Sequence, residues 1–341
     1  MSGSGGLFLK RGSALAELVE QRYDAEAVLQ QLLADHPQLL AGNDIDPDDP
    51  RRFMLIRREA PVASLLLDHL FVDQDAIPTL VETKRGEDTR GRREVVAQML
   101  DYAANAATHW KAEALREWHA ERCRFSGIDR DEDLSNIEHS LETDDAFWAR
   151  VGENLLAGNV RLIFISDSIP PGLQVIVEFL NERMTPTEVL AIEVRQFLAG
   201  DDQLLQARLL GQTARAREVK VRSGSRRRPV IGVLIEAGVL VDGQTLWLLP
   251  SIIPAAHRPS PEDPRLQVTL VIADSNVRFA YQPPGQEAPE FFAPSAAWIR
   301  IRTEIEPTFQ TDRRFARVDT SYSVDPGGQA LGDLAESHGL W

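Results

Sequence analysis

Three short apolar runs, at about 53–58, 63–72 and 77–84, follow one another with only a few polar residues between them. Runs of this length, bounded by turn formers, read as strands, and the close spacing leaves room only for hairpin connections. Charge sits inside these runs. Asp68 interrupts Leu65-Leu-Leu-Asp68-His-Leu-Phe-Val, and Glu82 and Lys84 close Pro78-Thr-Leu-Val-Glu82-Thr-Lys84. Residues two apart on a strand share a face, so Glu82 and Lys84 point the same way. Asp68 stands where a paired neighbouring strand comes alongside. Two carboxylates and an ammonium on one sheet face can hold a hard divalent cation and a water. An unpartnered Asp within an apolar strand is costly, which favours a chemical use for Asp68.

The rest of the chain places these strands in a layered fold. Apolar spacing over Leu15 to Leu40 predicts helix, with Asp24 a candidate cap and Glu26 in the first turn of the second segment. An acid in a first helical turn also serves the helix dipole, so Glu26 has a purely structural alternative. A polar loop at 86–91 leads into one long amphipathic helix from Arg93 to about Ala120. Residues 126–146 read as an acidic loop, then a short helix carries Phe147, Trp148 and Leu155 inward. Val160-Arg-Leu-Ile-Phe-Ile reads as a buried strand, Leu173 to Met184 as helix, and Val189 to Phe197 as strand. Helix, three strands, helix, strand, helix, strand is an α/β or α+β order with helices on both sheet faces.

Composition excludes several classes. In 341 residues no apolar run approaches the ~20 needed to span a bilayer, so no membrane partner is expected. The first residues, Met1-Ser-Gly-Ser-Gly-Gly, lack the apolar centre of a signal peptide, and a cytoplasmic protein is the default. Cys123 is the only cysteine, so neither a disulfide framework nor a cysteine-based metal site is expected within one chain. A net charge of −15 argues against a general nucleic-acid coat, though not against a nuclease, where local charge decides. Base gathers at Lys84, Arg85, Arg90, Arg92 and Arg93, and again from Arg215 to Arg228. Lysine occurs only at 10, 84, 111 and 220. Where arginine is the default base, a lysine at a strand end points to a need for its compact ammonium. The other Glu-x-Lys triplet, Glu218-Val-Lys220, lies in the basic stretch with no apolar strand before it and reads as coincidence. The seven histidines show no zinc-type spacing, and no nucleophile elbow or phosphate loop occurs.

After the strand pair, Gln98 and Tyr102 stand four apart and share one face of the next helix. The order Glu26, Asp68, Glu82-Thr83-Lys84, Gln98-x-x-x-Tyr102 resembles the PD-(D/E)XK nuclease superfamily, the restriction-endonuclease-like fold. It is most similar to the branch with a helical Glu before the core and Gln-x-x-x-Tyr after it. Leu67 stands where the superfamily's name implies Pro. The resemblance covers about 15–200. It implies Asp68 and Glu82 as ligands of Mg2+ or Mn2+, with the Thr83 carbonyl as a third. Lys84 would orient the attacking water, Glu26 would reach the metal through water or steady Lys84, and Gln98 and Tyr102 would support the scissile phosphate. Arg85, Arg92 and Arg93 would contact the backbone of DNA.

The expected organisation is a flexible lead-in at 1–14, the nuclease-like domain at 15–200, a basic linker at 201–229, a small β-rich domain at 230–310 and a loose tail at 311–341. Leu234 to Trp247, with Gly238 and Gly243, predicts a short helix leading into a strand, and Ala293-Pro-Ser-Ala-Ala-Trp298 a helix start. Together these segments resemble the RAMA domain, which implies a reader of modified DNA; a plain assembly module is the alternative. The Asn-Gly-Trp segment of that domain is missing. The expected activity is metal-dependent DNA hydrolysis in defence or repair, by a homodimer, since two strand cuts need two sites. A non-cleaving DNA-binding or protein-interaction module on the same fold is the alternative from another class.

Overall fold

The computed structural model describes residues 6–47, 50–86, 91–137, 144–200, 202–222, 230–273, 276–286, 288–292, 294, 296–307 and 318–340. The chain divides into two compact units, one drawn from within 1–45, 52–134 and 142–226, the other from within 46–51, 135–141 and 227–341.

The first unit begins with β1 (Leu7–Arg11), β2 (Ala14–Gln21), α1 (Glu26–Asp35) and α2 (Gly42–Ile45). Then come β3 (Phe53–Val62), β4 (Leu65–Asp73), β5 (Pro78–Thr83), α3 (Gly91–His109), α4 (Ala112–Ser126), α5 (Arg130–Ser135) and α6 (Asp144–Leu156). It closes with β6 (Arg161–Ser166), α7 (Pro171–Arg183), β7 (Glu188–Ala199), β8 (Asp202–Leu210) and α8 (Ala214–Arg222). The eight strands form one mixed sheet in the order β1-β2-β7-β6-β5-β4-β3, with β8 paired to β7. β3, β4 and β5 are an antiparallel meander, while β5, β6 and β7 run parallel. Every residue of β5 and β6 is buried. Strands covered on both faces read as near-continuous apolar runs, which is why both were legible. α1 lays Leu29 and Leu33 over Phe71, Val81, Ile163, Ile165 and Ile192. α3 and α6 pack on β5, and α7 on β7. Arg161, at the start of β6, bonds Asp73 Oδ2 at 2.8 Å and Glu188 Oε2 at 2.6 Å, joining three strands through a buried ion pair.

The mixed α/β class and the three-strand meander agree with expectation. Several local expectations do not hold. Residues 7–11 are strand β1, not a lead-in, and the helix expected from Leu15 is strand β2. Val19 there pairs with Leu198 of β7, and Leu15 and Val19 stay 66% and 64% exposed, so the helical spacing of their apolar side chains was accidental. The single helix expected over 93–120 breaks at Trp110, whose indole N–H donates to the Pro61 carbonyl at 2.9 Å and whose ring packs edge-on against Trp118. The acidic stretch after residue 126 contains α5. The expected linker at 201–229 holds β8, paired along β7 from Ala191 to Ala199, and α8. The Glu218-Val-Lys220 triplet lies on α8, where Lys220 is 4% exposed and bonded to the Met184 and Thr187 carbonyls. Arg226 to Arg228 lie outside the described residues.

The second unit comprises α9 (Val230–Glu236), β9 (Thr245–Leu248), β10 (Gln267–Ala273), β11 (Asn276–Tyr281), β12 (Glu290–Phe292), α10 (Ala297–Ile305), α11 (Val318–Ser321), β13 (Tyr322–Ser323) and α12 (Leu331–Ser337). Its five strands form an antiparallel sheet ordered β12-β11-β10-β9-β13. The expected short helix entering a strand is present as α9 and β9, with Gly238 and Gly243 at φ 71° and 77°, a region that costs glycine little. Ala293 and Ser295, of the expected helix start, lie outside the described residues. The expected tail is part of the core: Val318, Tyr322, Leu331 and Ala335 are buried with Leu246, Leu270, Phe279 and Trp298, and Tyr322 meets Phe279 edge-on at 4.8 Å. Among the described residues no helix is long and apolar enough to cross a membrane.

Candidate active site

The β4–β5 register sets His69 opposite Val81 and Leu70 opposite Leu80, and its continuation sets Asp68 opposite Glu82. Alternation sends His69 to the other face, where its Nε2 donates to the Gln30 carbonyl at 2.8 Å and its ring stacks on Phe71. Burial pulls the pKa of His69 down to about 4, so it is a neutral core group at ordinary pH.

Asp68 is held firmly. Its Oδ2 accepts from the Thr83 amide at 2.7 Å and from the Thr83 hydroxyl at 2.5 Å. Thr83 thus reaches the site as a donor that fixes Asp68. Glu82 is 2% exposed. Its Oε1 accepts from Lys84 Nζ at 2.8 Å, while Oε2 is buried with no hydrogen-bond partner. Burial and the nearby Asp68 carboxylate raise the Glu82 pKa from 4.5 to about 7, against the pull of Lys84. Lys84 also lies 3.6 Å from Glu26 Oε1 at the start of α1. Burial works against the Lys84 ammonium, but Glu82, Asp68 and Glu26 outweigh it and hold its pKa above the usual lysine value.

Tyr102 is fully buried on α3. Its hydroxyl accepts from Gln98 Nε2 at 2.6 Å and donates to the Leu66 carbonyl at 2.7 Å. Burial first, then the Glu82 charge, raises its pKa, so it stays a neutral phenol. Tyr102 therefore ties α3 to β4 and orients Gln98. Arg85 is exposed and lines a cleft beside Glu82 and Lys84, bounded by Val95, Phe164, Ile169 and Leu173. Arg92 and Arg93 fall in the first turn of α3, and their side chains lie outside the described residues. Six expected residues, Glu26, Asp68, Glu82, Thr83, Lys84 and Arg85, thus gather at one end of β4 and β5. Gln98 and Tyr102 attach through α3.

One neighbour escaped the sequence reading. Asp167 follows β6, is 7% exposed, and accepts from the Gly86 amide at 2.8 Å through Oδ1, while its Oδ2 has no hydrogen-bond partner. Burial, with the Asp167 charge added, raises the pKa of Tyr23 to about 12, which places that buried phenol in the same neighbourhood. Gly86 is forced by this packing: a Cβ there would come within 2.8 Å of the Ser168 Cβ and carbonyl oxygen. The missed signal was Ser166-Asp167-Ser168 ending an apolar strand, the same pattern that singled out Glu82.

Comparison with protein-family models, with curated proteins and with solved structures finds no match to this chain.

Proposed function

We propose that the first unit is a metal-dependent nuclease of the PD-(D/E)XK type that hydrolyses phosphodiester bonds in DNA. The observation that carries this is the unpartnered, buried Glu82 Oε2 beside Asp68, where Thr83 holds Asp68 and both Glu82 Oε1 and Glu26 hold Lys84. A buried carboxylate oxygen with no donor is expensive unless a cation completes it. The donor set is hard oxygen, which suits Mg2+ or Mn2+. Asp68 and Glu82 would hold the ion, and it would supply a Lewis acid and an activated water.

The chain's own residues then divide the work. Thr83 keeps Asp68 aimed at Glu82. Lys84, ionised and shared between Glu82 and Glu26, presents a cation where negative charge grows on the phosphate and holds a water by hydrogen bond. Glu26, 3.6 Å from Nζ, steadies the ammonium as well. Gln98, braced by Tyr102, offers an amide donor to a phosphate oxygen, and Arg85 offers a guanidinium to the strand backbone. The second unit, with α9 entering β9, would recognise the DNA.

The test is incubation of the full chain with Mg2+ or Mn2+ and linear, nicked and supercoiled DNA, beside Glu82→Ala and Lys84→Ala. The expected result is metal-dependent cleavage that falls by about 100-fold or more in Lys84→Ala, the scale of removing one transition-state donor, and vanishes in Glu82→Ala. Equal cleavage by all three proteins, or DNA binding without cleavage, overturns the proposal.

A further inference from the structure

We infer that His119, Cys123 and Asp133 form a zinc site, distinct from the Asp68–Glu82–Lys84 cluster and independent of the nuclease proposal. His119 and Cys123 are four apart on α4 and so share one face. The helix ends at Gly127, which at φ 65° takes the left-handed cap, and the Ile128 amide returns to the Cys123 carbonyl at 3.0 Å. That turn brings α5 back so that Asp133 reaches the same face. His119 Nε2 lies 3.0 Å from Asp133 Oδ2 and 3.4 Å from Cys123 Sγ, and the three donor atoms all lie within 4.8 Å of one another.

Those separations match a tetrahedral ion. Zinc bonds of about 2.0–2.3 Å set neighbouring donors roughly 3.3–3.7 Å apart. Two of the three edges are therefore within a few tenths of an ångström of what roughly tetrahedral zinc requires. His119 and Cys123 are buried, at 0% and 2% exposure, whereas the Asp133 side chain is 21% exposed. The cluster is thus reached from solvent on the Asp133 side, from which a fourth ligand to zinc would come. One imidazole, one thiolate and one carboxylate select zinc over magnesium. Arg122 Nη2 donates to the same Asp133 Oδ2 and lies 3.6 Å from Cys123 Sγ, so in the metal-free protein its guanidinium supplies the positive charge among these donors and must swing aside when zinc enters. Binding replaces the Cys123 S–H proton with zinc and releases that proton to solvent. The metal clamps α5 onto α4.

Cys123 is the only cysteine, so a thiolate–metal signal has one source. The full chain is titrated with cobalt(II) and then zinc, following thiolate-to-cobalt charge-transfer absorption, and bound zinc is counted after dialysis. Wild type and Glu82→Gln should show the absorption, lose it to zinc, and retain one zinc per chain. Cys123→Ser should show none of it, and Asp133→Asn should bind zinc at least tenfold more weakly. Absence of the cobalt absorption in the folded wild-type chain overturns the inference, as does equal zinc retention by Cys123→Ser or unchanged affinity in Asp133→Asn. If Cys123→Ser fails to fold, the wild-type absorption and the Asp133→Asn affinity decide the matter.

Discussion

Replacing Glu82 with glutamine should stabilise the metal-free protein at high pH and leave it unchanged at low pH. Glu82 is 2% exposed, and its pKa is raised from 4.5 to about 7, chiefly by burial. A carboxyl raised in this way holds its proton more tightly folded than unfolded. Its proton uptake therefore favours the folded state at low pH. That advantage is lost as pH climbs from about 4.5 through about 7, when the folded protein must carry a buried charge. At about 1.36 kcal/mol per pKa unit, the full cost above pH 7 is about 3 kcal/mol. Glutamine keeps the shape of the protonated acid and never ionises, so Glu82→Gln should be about 3 kcal/mol more stable than wild type near pH 8. Near pH 4.5 the two should coincide. Urea unfolding at both pH values, read by hydrogen-exchange protection of peptides from β4 and β5, reports the unit that holds the site. Added Mg2+ should narrow the gap by stabilising wild type alone. No advantage at pH 8, or the same advantage at both pH values, would refute the account of a buried, destabilising carboxylate.

Three further outcomes follow from the packing. Tyr102→Phe removes a hydroxyl that joins Gln98 to the Leu66 carbonyl, and should cost about 1–3 kcal/mol in the same unfolding assay because both partners lose a bond. Gly86→Ala places a Cβ within 2.8 Å of Ser168, and should cost about 1–3 kcal/mol and weaken Mg2+ binding measured by calorimetry, since the strap following Lys84 must shift. Asp73→Ala leaves the buried Arg161 guanidinium with less compensation and frees the Asp75 and Ile77 amides, so it should cost about 3–5 kcal/mol and lower the melting temperature. Asp73 is fully buried and lies outside the Asp68–Glu82–Lys84 group. A variant that unfolds normally in spite of this loss would show that Glu188 alone neutralises Arg161.

Much of the site was written locally. Alternation along 65–72 and 78–84 placed Asp68, Glu82 and Lys84 on a shared face without reference to the rest of the chain, because strand period and hairpin length are short-range properties. The same was true of Gln98 and Tyr102, whose spacing is one helical turn. Their roles were less legible: Tyr102 is a buried brace bonded to backbone, and Thr83 contributes donors to Asp68, contacts that depend on which strand lies alongside. Asp167 required knowing that β6 runs parallel beside β5, a pairing made across a long crossover.

What residue order settled by itself was the buried centre: β5 and β6, where every residue is covered, apolar side chains fill the middle of each strand, and polar groups such as Arg161 and Glu82 stand towards the ends. The sheet's margins were decided by tertiary pairing. β2 and β8 carry exposed apolar and polar side chains that suit helix or linker equally well, and only backbone pairing, of β2 with β1 and β7 and of β8 with β7, makes them strands. The same holds for the segment after 317, whose few apolar residues have meaning only against the second unit's core. Local periodicity reports which side of an element is covered, whereas an edge is held by partners that lie far away along the chain.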